Sequence, residues 1–105
     1  MDIIIVGDGK VGYTLAEQLS QEEHNVTIVD TSDEALRKAD EALDVMCVKG
    51  NGASVSTLRE AGAEHADILI AATSMDEINM VSCLTAKHMG TAFTVARVRN
   101  IEYTV

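Results

Sequence analysis

The sequence is poor in aromatic and basic residues, and each shortage excludes a class of function. Only 3% of its 105 residues are aromatic, which leaves no platform on which nucleic-acid bases could stack. Eight basic residues stand against 17 acidic ones, for a formal net charge of −9. Binding to nucleic acid and adsorption to an anionic membrane both need a basic surface. We therefore expect neither nucleic acid nor lipid as a direct partner.

Long apolar runs and paired metal ligands are also missing. No apolar run approaches the roughly 20 residues of a membrane span. The chain enters an apolar segment without a basic start, so we expect no signal peptide. Cys47 and Cys83 lie 36 positions apart in apolar segments, which favours buried free thiols in a reducing cytoplasm. The three histidines are scattered, so we expect no metal site.

What the sequence does contain is a regular alternation of strand-like and helix-like segments, with no proline or linker. Short connections between them imply parallel strands with helices on both faces. The prediction is an α/β fold, a Rossmann-like doubly wound parallel sheet, in one domain over residues 1–105. Strands are predicted at 2–6, 26–29, 45–48, 67–72 and 93–98. Helices are predicted at 10–22, 32–43 (capping box Thr31 and Glu34), 54–61 and from Ser74 (capping box with Glu77) to about Met89.

The number of strands leaves two sheet arrangements open. A Rossmann sheet usually has six strands, so about five strands favour a truncated domain, a fragment of a longer protein. The alternative is the five-stranded order of flavodoxin-like folds. Both arrangements place a ligand at the carboxyl ends of the strands.

The clearest motif is the loop Gly7-Asp8-Gly9-Lys10-Val11-Gly12, which follows the first strand and opens the first helix. In that context a G-x-G-x-x-G pattern predicts a dinucleotide-binding loop. Gly7 allows the tight turn, Gly9 lets the backbone approach a pyrophosphate, and Gly12 lets the helix pack close to the strand. The start of the helix attracts the anion.

Two further segments are predicted to contribute to the same site. Asp30 ends the second strand, 18 residues after Gly12, where an acid accepts hydrogen bonds from ribose hydroxyls and repels a 2′-phosphate. This favours NAD or an adenine nucleotide over NADP, with Thr31 beside it; that Asp30 only caps the next helix stays open. Thr73 and Ser74 follow the fourth strand as candidate hydroxyl donors.

Asp8 conflicts with this interpretation, because a carboxylate near a pyrophosphate costs on the order of 1 kcal/mol. We expect its side chain to point away from the phosphates, toward solvent or Lys10. Lys10 could pair with Asp8 or with phosphate, or could simply be solvated. Asp76 and Glu77, which follow the fourth strand, are expected to cap a helix rather than to contact ligand.

Three further stretches carry a resemblance to a known family: LREAG followed by AD over 58–67, TSMDEINM over 73–80 and ARVRN over 96–100. With the glycine loop, they resemble the N-terminal domain of TrkA-type regulators, the KTN or RCK domains of bacterial potassium uptake systems and channels. The resemblance covers nearly all 105 residues. It adds Arg97, in ARVRN, to the site.

The resemblance implies a cytoplasmic Rossmann-fold sensor and not an enzyme. Such a domain binds NAD(H), our first expectation, or ATP and ADP, and couples the nucleotide to potassium transport. It assembles as dimers or rings on a membrane-embedded potassium translocation subunit, at the inner face of the membrane. The alternative is the cofactor-binding domain of an NAD-dependent oxidoreductase.

Overall fold

Strands and helices alternate along the computed structural model, which describes residues 1–103. All nine predicted elements are present, with ends that shift by at most two residues. The strands are β1 Asp2–Val6, β2 Asn25–Asp30, β3 Met46–Lys49, β4 Ile68–Ala71 and β5 Phe93–Ala96. The helices are α1 Lys10–Gln21, α2 Asp33–Ala42, α3 Val55–Glu60 and α4 Asp76–Met89, followed by a 3₁₀ turn at Ile101–Tyr103.

The five strands form one parallel sheet in the order β3-β2-β1-β4-β5. Ile5, for example, lies opposite Ile28 on one side and Ile70 on the other. This is the first part of the Rossmann order; a flavodoxin-like sheet would place β3 beside β1. The Rossmann-like prediction is therefore confirmed, and the flavodoxin-like alternative is wrong.

The continuous apolar run of β1 is explained by burial on both faces. Successive side chains of a strand point to opposite faces, so Ile3 and Ile5 enter one core and Ile4 and Val6 enter the other. The first core is closed by α1 and α2, through residues such as Ala16 and Leu36. The second core is closed by α3 and α4, through Leu58, Cys83 and Ala86.

Two predicted capping boxes are wrong. The N-cap of α2 is Ser32, whose hydroxyl accepts from the Ala35 N–H at 3.2 Å, because the carboxylate of Asp30 holds the Ser32 N–H and delays the helix by one residue. The N-cap of α4 is Met75, with no side-chain cap. The N–H of Met75 donates to the hydroxyl oxygen of Thr73, at 3.2 Å.

The topology brings the segments that follow all five strands to one edge of the sheet, since the strands are parallel. The crossovers diverge at β1: the chain passes by α1 to β2 on one side, while β4 pairs on the other. Such a switch point leaves a crevice where ligands bind in open α/β sheets. Within residues 1–103, none of the helices has the length and apolar character to cross a membrane.

A pair of leucine substitutions tests this division between core and surface. Leu58 in α3 is fully buried, whereas Leu84 in α4 is 72% exposed. We expect Leu58→Ala to lower the free energy of unfolding by about 2–5 kcal/mol, and Leu84→Ala to change it by less than about 0.5 kcal/mol. Urea denaturation measures both. Equal losses would contradict the assignment of α3 to the core.

Candidate functional site

A cavity of about 550 Å³ lies at the carboxyl edge of the sheet, above the switch point. Its walls come from the ends of all five strands and the start of α1. All ten residues predicted from the sequence line it: Gly7, Asp8, Gly9, Lys10, Val11, Asp30, Thr31, Thr73, Ser74 and Arg97.

The three glycines of the loop have different reasons for being glycine. Gly7 has a φ of 102°, which side chains rarely adopt, and a Cβ on Gly12 would lie 1.9 Å from the carbonyl oxygen of Gly7. The fold therefore requires both. Gly9 has an ordinary φ of −78°, and a Cβ there would meet no protein atom within 4 Å. The fold does not require glycine at position 9, but the missing side chain leaves the cavity open there.

Gly9 is also the N-cap of α1, and no side chain caps that helix. The first N–H groups of a helix have no carbonyl partner within it, and their dipoles favour a negative charge. No acid lies in the first turn of α1 to satisfy them. The loop thus combines open space with backbone donors, an arrangement that fits a phosphate.

The carboxylate of Asp30 joins the loops after β1 and β2. One oxygen accepts from the Asp8 N–H at 2.7 Å and the other from the Ser32 N–H at 2.8 Å. Asp30 therefore does more than cap a helix, since the cap of α2 is Ser32. Each carboxylate oxygen accepts about two hydrogen bonds, so capacity remains on Asp30 for hydroxyls of a ligand.

The side chain of Asp8 is buried, contrary to the expectation that it points toward solvent or Lys10. It is 9% exposed, and both carboxylate oxygens are buried without a hydrogen-bond partner. The reason is that its own N–H is held by Asp30, which draws residue 8 against the end of β2. Burial, and then the charge of Asp30, raise the pKa of Asp8 to about 6, while Lys38 acts in the opposite direction.

The rim after β4 is held by Asn79, a fully buried residue whose role the sequence did not indicate. Its Oδ1 accepts from the N–H and the hydroxyl of Thr73, and its Nδ2 donates to the carbonyl of Arg97 at 2.8 Å. The hydroxyl proton of Thr73 is therefore already engaged. Ser74 is exposed at the rim, and Arg97 lines the cavity as the resemblance implied.

The acids at the start of α4 accept hydrogen bonds from the segment after β5 instead of capping their own helix. Asp76 accepts from the N–H groups of Arg99 and Asn100, and these hydrogen bonds hold its pKa below the usual range. Glu77 accepts from the hydroxyl of Tyr103 at 2.6 Å. The expectation that these acids act as helix caps is wrong, because the chain after β5 folds back over α4.

The sequence reasoning missed the loop after β3, where Gly50, Asn51 and Gly52 line the cavity. A Cβ on Gly52 would lie 2.1 Å from Val6 of β1, and its carbonyl accepts from the Ser82 hydroxyl at 2.7 Å. A signal was present: two glycines directly after a strand of the predicted parallel sheet.

Comparison with known families gives a match over nearly the whole chain. The model of the TrkA-N domain matches residues 3–105. The chain belongs to the TrkA-N family. This confirms the resemblance drawn from the glycine loop and from the LREAG, TSMDEINM and ARVRN stretches.

Relatives of this TrkA-N domain include two named "Trk system potassium uptake protein TrkA". The one from Halomonas elongata is 47% identical over 104 residues, and the one from Haemophilus influenzae is 44% identical over 104 residues. Each alignment covers 98% of this chain. The chain spans 23% of the length of each of these relatives.

Solved structures confirm the fold of the TrkA-N domain. The NAD(P)-binding domain of an exopolyphosphatase-related protein from Archaeoglobus fulgidus superposes with a TM-score of 0.85 at 19% identity, over 98% of this chain and 77% of that one. The GsuK channel bound to NAD gives a TM-score of 0.77 at 22% identity, over 94% of this chain and 18% of that one. At these identities the likeness shows the fold alone.

Alanine at two glycines of the loop should separate the needs of the fold from those of the cavity. We expect Gly12→Ala to lower stability by about 1–3 kcal/mol, because the clash with Gly7 outweighs the roughly 1 kcal/mol gained in helix propensity. Gly9→Ala should change it by less than about 0.5 kcal/mol. Thermal unfolding of both variants decides this, and a loss at Gly9 as large as that at Gly12 would refute it.

Removal of the Asp8 carboxyl should stabilise the protein at alkaline pH. A buried polar group without a partner costs about 1–3 kcal/mol, so Asp8→Ala should raise the free energy of unfolding by that order at pH 8. Because the folded pKa is raised to about 6 from 3.8, the native state takes up the proton first as the pH falls below about 6. The stability gained by Asp8→Ala over the parent should therefore shrink as the pH falls from 6 to 4.

The pH dependence of Asp8→Ala is measured by urea denaturation at pH 8 and pH 5, beside Asp44→Ala. Asp44 is an exposed acid that precedes β3, at the opposite edge of the sheet. We expect no comparable pH-dependent gain in that control. An Asp8→Ala variant that is less stable than the parent at pH 8 would contradict the unpaired state of the carboxyl.

Proposed function

We propose that this chain is a nucleotide-sensing domain that binds NAD(H) in the cavity above β1 and regulates potassium uptake. The observation that carries the proposal is Gly9: an open position that the fold does not need, at the start of an uncapped helix and beside Asp30. This combination suits a pyrophosphate with a ribose next to it. The proposal treats residues 1–105 as one such domain.

The phosphates would be held by the backbone of residues 7–11. The N–H groups at the start of α1 supply the donors, and Lys10 and Arg97 are the basic side chains that line the cavity. Asp8 and Asp30 are its acidic ones. The charges of the lining therefore balance, and we assign most of the attraction to backbone dipoles, which carry no net charge.

The adenosine ribose would lie against Asp30. Its hydroxyls can donate to carboxylate oxygens that already accept from two backbone N–H groups, which keeps the carboxylate rigid. A 2′-phosphate would meet the same negative charge, so NADP is disfavoured. Thr31 lies next to this position in the cavity lining, and Ser74 and Arg97 face it from the rims after β4 and β5.

Regulation of potassium uptake is proposed from the family and from the names of the relatives. The domain would act at the cytoplasmic side of a membrane-embedded potassium translocation subunit, as a homo-oligomer, with no chemical step of its own. To regulate, the nucleotide must bind two conformations with different affinity. Asn79 and Asp76 suit such coupling, because they join the cavity rim to the segment after β5.

ATP and ADP remain candidate ligands of the same site, since they also present ribose hydroxyls and phosphates. The oxidoreductase alternative differs in requiring chemistry. Hydride transfer from NADH to a carbonyl substrate by this protein would overturn the assignment as a regulator.

Titration of the purified protein with NAD, NADH, ADP and ATP tests the proposal. We expect binding tighter than 1 mM for at least NAD or NADH by calorimetry, and at least a roughly tenfold loss in Gly9→Ala, because the methyl group occupies the phosphate position. Asp30→Ala should weaken binding by a similar factor, since it removes the ribose acceptor.

Thermal unfolding distinguishes lost binding from lost structure in these variants. Gly9→Ala should keep the melting temperature of the parent, so its loss of affinity would be specific. Asp30→Ala also frees two backbone N–H groups and should melt lower. If no nucleotide binds below millimolar concentration and neither variant changes that result, the nucleotide-sensing function is wrong.

A further inference from the structure

Among the described residues, only Asp8 has buried side-chain polar atoms that lack a hydrogen-bond partner. It belongs to the phosphate loop, is more than nine-tenths buried, and neither of its carboxylate oxygens has a hydrogen-bond partner. It lines the main cavity and also a second cavity of about 520 Å³ between α1 and α2. It therefore presents a buried charge to the space where an anionic ligand is proposed to bind.

The fold gives no reason for this carboxyl. Asp30 forms the hydrogen bonds that join the loops, and it does so through the backbone of residue 8 and not through its side chain. An unpaired buried carboxylate destabilises the native state. A residue that costs stability at a binding loop is expected to act on what the loop binds.

The electrostatic surroundings of Asp8 are mixed. Burial, and next the like charge of Asp30, raise the pKa of Asp8 to about 6. Lys38 partly offsets both. Titratable groups from every neighbouring element share the two cavities with Asp8 or lie near it: Lys10 and Tyr13 of α1, Asp30 of β2, Glu34 and Lys38 of α2, Cys47 of β3 and Arg97 after β5.

We propose that Asp8 determines specificity, selecting nucleotides by the charge of their phosphates so that NAD(H) is favoured over ADP and ATP. This inference rests on the proposed function. Each phosphate of NAD carries about one negative charge. The terminal phosphate of ADP or ATP carries nearly two, because its last oxygen is not esterified. A fixed carboxylate in the loop repels that extra charge. NAD, whose pyrophosphate is capped at both ends, avoids it.

The size of the selection follows from Coulomb's law. For unit charges separated by roughly 7 Å in a partly solvated site, each extra negative charge weakens binding on the order of tenfold. ADP carries one negative charge more than the pyrophosphate of NAD and should thus lose about one factor of ten relative to NAD, while ATP carries two more and should lose up to about two factors of ten.

Selection by charge should make the affinity for nucleotide depend on pH. A bound anion raises the pKa of Asp8 further, so binding takes up a proton near neutral pH. The affinity for NAD should then fall as the pH rises from 6 to 8. Without the carboxyl, this dependence should disappear.

The test is calorimetric titration of the parent protein and Asp8→Asn with NAD, ADP and ATP at pH 8. We expect the preference for NAD over ATP to fall at least roughly tenfold in Asp8→Asn. Asp44→Asn removes one charge at the opposite edge of the sheet, and it should leave the preference unchanged. A ratio of NAD to ATP affinity that stays within twofold of the parent in Asp8→Asn would overturn the inference.

The pH dependence is measured with NAD alone, because the terminal phosphates of ADP and ATP titrate near pH 6 themselves. The parent should bind NAD several-fold more tightly at pH 6 than at pH 8, and Asp8→Asn should bind it equally at both. An equal pH dependence in the two proteins would also overturn the inference.

The outcomes separate the inference from the proposed function. Nucleotide binding with an unaltered preference in Asp8→Asn refutes only the role of Asp8. If neither the parent nor the variants bind any of the nucleotides at either pH, both the role of Asp8 and the proposed function are refuted. Asp8→Ala is the second variant for the same titrations, and neither substitution removes a hydrogen bond of the carboxyl, since it makes none.

Discussion

Hydrogen bonding of β1 to β2 on one side and to β4 on the other is the constraint on which the rest of the structure depends. It places β1 at the centre of the sheet, where helices cover both of its faces, which explains its unbroken apolar run. It also makes the two crossovers diverge at the carboxyl end of the strand. The loop after β1 must then turn sharply, with Gly7 in a left-handed conformation and Gly12 against its carbonyl. The cavity is a consequence of this topology, and the open position at Gly9 determines what the cavity can receive.

Much of this arrangement could be predicted from the sequence, because it follows from local patterns. Periodicity of apolar residues gave nine elements, and the spacing from the glycine loop to Asp30 identified two walls of the cavity. The order of the strands could not be read locally. Whether β3 pairs with β2 or with β1 is decided by contacts between distant parts of the chain, so local patterns alone do not exclude the flavodoxin-like order.

The errors concern side chains whose partners lie far along the chain. Asp8 was expected to face solvent, but Asp30 holds its backbone 22 residues away. Asp76 was expected to cap α4, but its carboxylate is taken by backbone N–H groups 23 and 24 residues on. Asn79 likewise forms hydrogen bonds to a distant segment, since its side chain joins the ends of β4 and β5. Capping rules weigh only neighbours in sequence, and here tertiary hydrogen bonds override them.

The central claim is that the loop above β1 is a nucleotide site in this TrkA-N domain. The most direct measurement is the shift of backbone amide resonances in ¹⁵N-labelled protein as NAD is added. We expect the largest shifts in residues 7–12, at Asp30 and in residues 72–74, the ends of three strands that meet only in the folded sheet. Absence of shifts there at millimolar NAD, or shifts confined to the exposed edge at β5, would contradict the account.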